Sequence, residues 1–305
     1  MKRLVVLLGA TGVGKTDLSI RLAQYMQCPI ISSDSRQIYR EMTTGTAVPE
    51  KEQLNAVQHY FIHSRSIFDD YTAGKFELDA IDLINSLFQH YKQLLMVGGS
   101  GLYIDAVCKG IDVIPATDNW LRQSIIERYK NEGIESLRFE LKRLDAKIYN
   151  QIDIKNPQRV MRALEVCLTS GKPYSELKQN FAKKRNFDIL KIGLQISRNE
   201  LYDKINSRVD KMFEQGLLNE AGHLYEHRNI NALKTVGYKE IFEYFDGKIS
   251  LDEAVNLIKR NTRRYAKRQM SWFARYNDIQ WFHPADFEGI IKLCNHSKII
   301  RNEKQ

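Results

Sequence analysis

The residues Gly9-Ala10-Thr11-Gly12-Val13-Gly14-Lys15-Thr16 form a complete G-x-x-x-x-G-K-T phosphate loop. Its chemistry follows from its parts. Successive backbone N–H groups at a helix N-terminus point at phosphate oxygens, Lys15 adds a point charge, and the Thr16 hydroxyl is placed to ligate Mg²⁺. All eight residues are therefore expected to bind a diphosphate or triphosphate. A second chemical group, the carboxylate of Asp34, follows the short apolar run Pro29-Ile30-Ile31. Ligands of open α/β sheets collect at the carboxyl ends of strands, so Asp34 should face the same crevice as Lys15 and Thr16. There it would serve as a general base or an outer-sphere metal partner, or else simply cap its own turn. A typical P-loop nucleotidase ends a later strand in an Asp that helps to hold Mg²⁺. Here the apolar run Leu94–Val97 ends instead in Gly98-Gly99-Ser100-Gly101.

Positioning these groups takes strands that alternate with helices. Leu4 to Leu8 is a continuous apolar run, and Asp17 to Met26 follows with helical spacing through Leu18, Leu22 and Tyr25. Further strands are expected at Pro29–Ile31, Tyr60–Ile62, Leu94–Val97, Leu190–Ile196 and Ile279–Phe282, with helices over Leu78–Tyr91, Glu200–Glu226 and Leu251–Tyr276. This order implies an α/β fold, a parallel sheet flanked by helices. Residues 115–187 break the pattern: they are charged, helical in period and without a convincing strand. The expected organisation is a core of residues 1–114 and 188–305 interrupted by an all-helical insertion of 115–187.

Composition narrows the class. In 305 residues, 27% are charged and 43% apolar, which is the range of a folded globular chain. The net charge of +9 favours an anionic partner. Cys28, Cys108, Cys167 and Cys294 have no metal-ligand spacing and read as free thiols of a reducing compartment. The start, Met1-Lys2-Arg3 and a short apolar run, imitates a secretory leader but leads into the phosphate loop, and no run approaches the ~18 apolar residues of a spanning helix. A cytoplasmic protein without a membrane segment is expected. Lys259 to Arg275 carries Lys259, Arg260, Arg263, Arg264, Lys267, Arg268 and Arg275 with no acid among them, interleaved with Tyr265, Trp272 and Phe273. On a helix that is a basic stripe suited to a phosphate backbone, although aromatics at this spacing are also what a core needs. The seven histidines fit no metal site.

Taken together, these blocks resemble the tRNA dimethylallyltransferase family. The resemblance rests on Gly9–Thr16, on Asp34-Ser35-Arg36-Gln37-Ile38-Tyr39 followed by Gly45-Thr46-Ala47, and on Gly98-Gly99-Ser100-Gly101-Leu102-Tyr103. It continues in Asn156-Pro157-Gln158-Arg159-Val160-Met161-Arg162-Ala163-Leu164-Glu165-Val166, Val236-Gly237-Tyr238-Lys239-Glu240 and Thr262–Phe273, collinear over about residues 4–282. It implies a P-loop NTPase-like core and transfer of a dimethylallyl group from dimethylallyl diphosphate to N6 of the adenine 3′ of the anticodon in tRNA, with Mg²⁺ as cofactor.

Carried over by motif, Asp34 is the base, and Gly9 to Thr16 grip the diphosphate. Ser35, Arg36, Gln37 and Ser100 touch the target nucleotide, with Gln37 offering a donor and an acceptor to an adenine edge. Arg122 and Gln158, Arg159, Val160, Met161 and Arg162 match tRNA-contacting positions of the insertion, and the stripe of Arg263, Arg264, Lys267 and Arg268 is assigned to tRNA, the partner being the anticodon stem-loop and the enzyme a monomer. The sequence departs from the pattern at Ser100 for a usual Thr, Val48 for a common Lys, Thr43 for a common Asp, and Lys234 where some members have a diphosphate-binding Arg. Two other classes remain: a P-loop kinase or ATPase, which leaves the basic helix unexplained, and a non-catalytic RNA-binding protein, which makes Lys15, Thr16 and Asp34 accidental.

Overall fold

The computed structural model describes residues 2–112, 114, 118–178 and 182–296. Six strands form one sheet, β1 (Arg3–Gly9), β2 (Ile30–Ser32), β3 (His59–Tyr60), β4 (Gln93–Gly98), β5 (Asp188–Leu194) and β6 (Ile279–Phe282). Their order is β3-β2-β4-β1-β5-β6, and every pairing is parallel. The sheet is buried on both faces, which is why its central strand reads as an unbroken apolar run. Leu4, Val6 and Leu8 of β1 pack on one side and Val5 and Leu7 on the other. The first side is covered by α3 (Ala73–Leu87) and α4 (Gly101–Lys109) through Phe76, Ile84, Tyr103 and Val107, and the second by α1 (Lys15–Met26) and α14 (Phe287–Asn295) through Leu18, Leu22 and Ile290. A short α2 (Lys51–Ala56) precedes β3.

The chain divides into two compact units, one of Met1–Cys108 with Arg185–Gln305 and the other of Lys109–Lys184. The second contains α5 (Asn119–Glu132), α6 (Ile134–Leu144), α7 (Ala146–Gln151), α8 (Pro157–Ser170) and α9 (Tyr174–Leu177), and no strand among its described residues. Its core gathers Leu137, Leu141, Ile148, Val160, Ala163, Leu164 and Cys167. Residues 160, 163, 164 and 167 recur at the helical i, i+3, i+4, i+7 interval, so one face of α8 holds this unit together. In the first unit, α10 (Arg198–Glu214), α11 (Leu217–Leu224), α12 (Tyr238–Phe245) and α13 (Leu251–Phe273) enclose a further core of Val209, Leu217, Tyr238, Ile241 and Ile258 with Ile38, Tyr39 and Met42.

Several boundaries differ from expectation for local reasons. β3 ends at Tyr60 because Phe61 and His63 take positive φ angles of 61° and 49°, which extended pairing cannot continue. α3 begins at Ala73, earlier than Leu78, because the Thr72 side chain caps it by accepting from the Lys75 amide. The expected helix at Glu200–Glu226 is divided by Gly216, whose φ is 93°. Among the described residues, no helix is long and apolar enough to cross a membrane.

Candidate active site

Strands β2, β4 and β1 are neighbours, so the loops that leave their carboxyl ends open side by side into one cleft of about 780 Å³. β1 delivers the phosphate loop, β2 delivers Asp34–Gln37, and β4 delivers Gly98-Gly99-Ser100. The cleft wall includes Thr11, Gly12, Gly14, Lys15, Thr16, Asp34, Ser35, Arg36, Gln37, Arg208, Tyr265 and Gln269. Gly12 has φ 81° and lies against α10, where a Cβ would stand 2.9 Å from Ile205 Cγ1, so both conformation and space require glycine.

Lys15 Nζ donates to the carbonyls of Gly9 at 2.9 Å and Ala10 at 2.7 Å, folding back along the loop. Desolvation, and then the positive charge of Arg208, lower its pKa to about 7, while Asp34 opposes the shift. The lowered value means that the ammonium lacks counter-charge in this arrangement, and a phosphate group bound in the loop would supply it. Arg208 Nη1 donates to the Thr11 hydroxyl at 3.3 Å. Desolvation also pulls the Arg208 pKa below its ordinary value, and the Asp34 charge acts in the opposite sense. Lys15 and Arg208 thus place two cations along the phosphate loop, in a cleft whose wall also carries the carboxylates of Asp17, Asp34 and Asp203.

The Asp34 carboxylate is held firmly on one side. Asp34 Oδ1 accepts from the amides of Arg36 at 2.8 Å and Gln37 at 3.2 Å, the bonding of an Asx turn. Among the described residues Oδ2 has no hydrogen-bond partner, and Asp34 lines the cleft. The turn-capping and cleft-facing readings of Asp34 are therefore both satisfied, one by each oxygen. Beside it, Ser100 Oγ accepts from the Ser35 amide at 2.9 Å and lies 3.1 Å from Ser35 Oγ. The Tyr265 hydroxyl also bonds Ser100, and burial followed by the Asp34 charge raises its pKa to about 12, so it stays protonated. Gln37 Nε2 donates to the carbonyls of Thr46 at 3.2 Å and Ala47 at 2.9 Å, which commits its amide group to the backbone and leaves Oε1 as its remaining polar atom.

Among the described residues, no three His, Cys, Asp or Glu side chains converge as a metal site. A hard divalent cation can still be bound through one or two protein oxygens with substrate phosphate oxygens and water completing the shell, and the Thr16 hydroxyl in the cleft wall is a donor of that kind.

Against this geometry, residues 37–276 match the protein-family model described as IPP transferase. The chain belongs to the tRNA dimethylallyltransferase family. It is 51% identical over 294 residues, 96% of each chain, to a protein of Azobacteroides pseudotrichonymphae named tRNA dimethylallyltransferase 2. It is 49% identical over 296 residues to tRNA dimethylallyltransferase 1 of Bacteroides fragilis, covering 97% of this chain and 98% of that one. A crystal structure of a tRNA isopentenylpyrophosphate transferase from Bacillus halodurans aligns with a TM-score of 0.71 at 33% identity, over 96% of both chains. A eukaryotic dimethylallyltransferase described as acting on tRNA aligns with a TM-score of 0.78 at 26% identity, over 94% of this chain and 75% of that one. The family model begins after the phosphate loop and Asp34, whereas the relatives span nearly the whole chain, and the fold they share is the P-loop NTPase-like parallel sheet.

The site residues carried over from the family's motifs differ in their surroundings. Ala10 and Val13 are buried, and the Ala10 carbonyl accepts from Lys15 and from the Val13 amide at 3.4 Å, so their side chains face away from the cleft and a phosphate contact there would be through the backbone. Lys234 is exposed and is not in the cleft wall, which takes in its neighbours Thr235, Val236 and Gly237; Arg208 is a cation of that wall. Val160 is 0% exposed in the core of its unit and cannot touch RNA, and Met161 packs partly against that core. Gln158 and Arg159 beside them are exposed. Arg122 and Arg162 reach the same buried carboxylate, Glu165, at 3.8 and 3.3 Å, which fixes two partly exposed guanidinium groups near one another.

The basic segment of α13 also divides. Lys259 pairs with Asp210 at 2.5 Å, Arg263 donates to Asn206 Oδ1 at 2.6 Å, and Arg275 stacks on Trp272 at 4.0 Å. Phe273 is in the core, and Trp272 Nε1 donates to Asp105 at 3.1 Å. Arg260, Arg264, Lys267 and Arg268 are exposed. Two site residues escaped sequence reasoning, Arg208 and Gln269. Arg208 follows Ile205 by three residues on α10, and Gln269 follows the buried Ala266 by three on α13, so their inward spacing was the available signal.

Proposed function

We propose that this enzyme transfers the dimethylallyl group from dimethylallyl diphosphate to N6 of the adenine on the 3′ side of the anticodon, giving N6-dimethylallyladenosine and diphosphate. The observation that carries the reading is the convergence of Lys15, Arg208 and the free Oδ2 of Asp34 on one cleft, in a chain of this family. The phosphate-loop amides, Lys15 and Arg208 would bind the diphosphate and stabilise the charge that develops on it as the donor C–O bond breaks. N6 forms the new bond to that carbon and gives up a proton, for which Asp34 Oδ2 is the available acceptor. Because the N6 lone pair is delocalised into the ring, removing this proton as bonding proceeds lowers the barrier. Thr16, with diphosphate oxygens and water, would hold Mg²⁺, which supplies neutralisation of the leaving charge when bound.

On the tRNA side, Ser35, Arg36, Gln37 and Ser100 would surround the target nucleotide, which must leave the anticodon-loop stack at a cost of a few kcal/mol. The exposed Arg264, Lys267 and Arg268 would meet phosphates of the tRNA, and Arg122, Gln158, Arg159 and Arg162, exposed on their own unit, are further candidates for tRNA contact. The reading places the enzyme in the cytoplasm as a monomer. Its test is mass spectrometry of nucleosides from unmodified tRNA incubated with the protein, Mg²⁺ and either dimethylallyl diphosphate or ATP. Dimethylallyladenosine formed only with the prenyl donor supports the reading. ATP consumed with no modified nucleoside overturns it in favour of a kinase.

A further inference from the structure

Glu220, on α11, faces the loop between residues 42 and 47 and collects four donors on one carboxylate. Its Oε2 accepts from the amides of Thr43 at 3.0 Å and Thr44 at 2.8 Å, and its Oε1 from the Gly45 amide at 2.9 Å and the Tyr238 hydroxyl at 2.6 Å. The turn is pressed onto Tyr238 so closely that a Cβ on Gly45 would lie 2.6 Å from the ring. Tyr238 is fully buried at the start of α12, and Glu240 of the same turn is tied to α13 by Asn261 at 2.7 Å. The next two carbonyls of the loop, Thr46 and Ala47, receive Gln37 Nε2. The Gln37 amide in turn donates to Asp34 Oδ1.

Hydrogen bonds joined by short covalent links, the Gly45–Ala47 backbone and Gln37 itself, therefore run from the helical part of the core to the Asp34 carboxylate of the cleft. We propose that Glu220 is a positioning residue for the acceptor side of the site, fixing through the Thr43–Ala47 turn and Gln37 the loop that carries Asp34. The P-loop has no part in these links. The diphosphate side should therefore be insensitive to Glu220, whereas tRNA use and proton transfer should depend on it. A carboxylate is required because three amide donors and a hydroxyl need four acceptor lone pairs, two on each oxygen, and a carboxamide would turn an N–H at one pair of them.

This inference rests on the transfer reaction proposed above, and the two fail separately. If the unaltered protein transfers no dimethylallyl group to tRNA, that reaction falls; a fault confined to the inference shows only in the variants. With Glu220→Gln, kcat/KM for tRNA is expected to fall ~10- to 100-fold, the loss that follows from one buried hydrogen bond to a charged group. The Kd for dimethylallyl diphosphate, measured by calorimetry, should stay within about twofold because no phosphate contact changes. In a Gln37→Ala background the same substitution should cost little more, since coupled residues are non-additive. Tyr238→Phe removes one of the four donors and is expected to lower tRNA use by a smaller factor, and it serves if Glu220→Gln fails to fold. Unchanged transfer in both variants, equal losses of donor affinity and tRNA use, or additivity with Gln37→Ala would overturn the proposal.

Discussion

Gln269 accepts the Thr11 amide on its Oε1 at 2.9 Å and, through Nε2, donates to the Gly99 carbonyl at 2.9 Å, so one buried side chain joins the loops of β1 and β4. The two loops are thereby tied together in the wall of one cleft. Gln269→Ala leaves the buried Gly99 carbonyl without its partner, at a cost of about 1–3 kcal/mol, and the part-buried Thr11 amide open to the cleft. Urea unfolding should show this loss, and dimethylallyl diphosphate should bind more weakly to the variant even where it is folded. Wild-type stability would show that the two loops are held by other contacts.

Arg208 should matter more for the diphosphate than for RNA. Its guanidinium sits on the Thr11 hydroxyl beside Lys15, and charge-assisted bonds of this kind contribute about 1.5–3 kcal/mol. Arg208→Ala is expected to weaken inorganic diphosphate binding ~10- to 100-fold in a calorimetric titration. Lysine at the same position should restore only part of it, having no planar fork. Lys234→Ala, outside the cleft wall, should leave the same Kd unchanged.

The exposed cations of α13 make a prediction about salt. For single-stranded nucleic acid, each phosphate neutralised adds about 0.7 to the slope of log K against log salt. Replacing Arg264, Lys267 and Arg268 together by alanine should reduce that slope for tRNA by up to about 2. Arg263, held by Asn206, should contribute less when replaced alone.

All four cysteines are buried, and desolvation raises every one of their thiols, Cys28 and Cys108 to about 12 and Cys294 to about 11. At pH 8.5 they remain protonated and unreactive, since the thiolate is the nucleophile. A thiol reagent should label the native protein very slowly and label all four sites once it is unfolded in urea. Rapid native labelling at any of them would contradict the packing around it.

The phosphate loop and Asp34 were legible in the sequence because backbone geometry dictates residue type there: glycines at fixed spacing, and a carboxylate just past an apolar run. The sheet was legible for the same reason, since Leu4–Leu8 can be continuous only if both faces are covered. Arg208 and Gln269 were not, because they reach Thr11 from 197 and 258 residues away, and their helical spacing from Ile205 and Ala266 marks an inward face without naming what it meets. Val160 was misread in the opposite direction. It lies inside a motif that resembles an RNA-contacting block, yet with Ala163, Leu164 and Cys167 it forms the helix's apolar stripe. The basic run of α13 conveyed charge but not partners, and Asp210, Asn206 and Asp105 claim three of its cations.

The central claim is that Asp34 takes the proton from N6 while the phosphate loop holds the diphosphate. It is tested most directly by the single-turnover rate of dimethylallyl transfer in Asp34→Asn, with enzyme, Mg²⁺ and donor premixed before tRNA is added. The amide keeps an oxygen for the Arg36 and Gln37 donors but removes the base. Transfer should slow by ~10²- to 10⁴-fold, the usual contribution of a positioned base, with the Kd for dimethylallyl diphosphate unchanged. Transfer at close to the wild-type rate would show that the proton leaves by another route, and the assignment of Asp34 would be wrong.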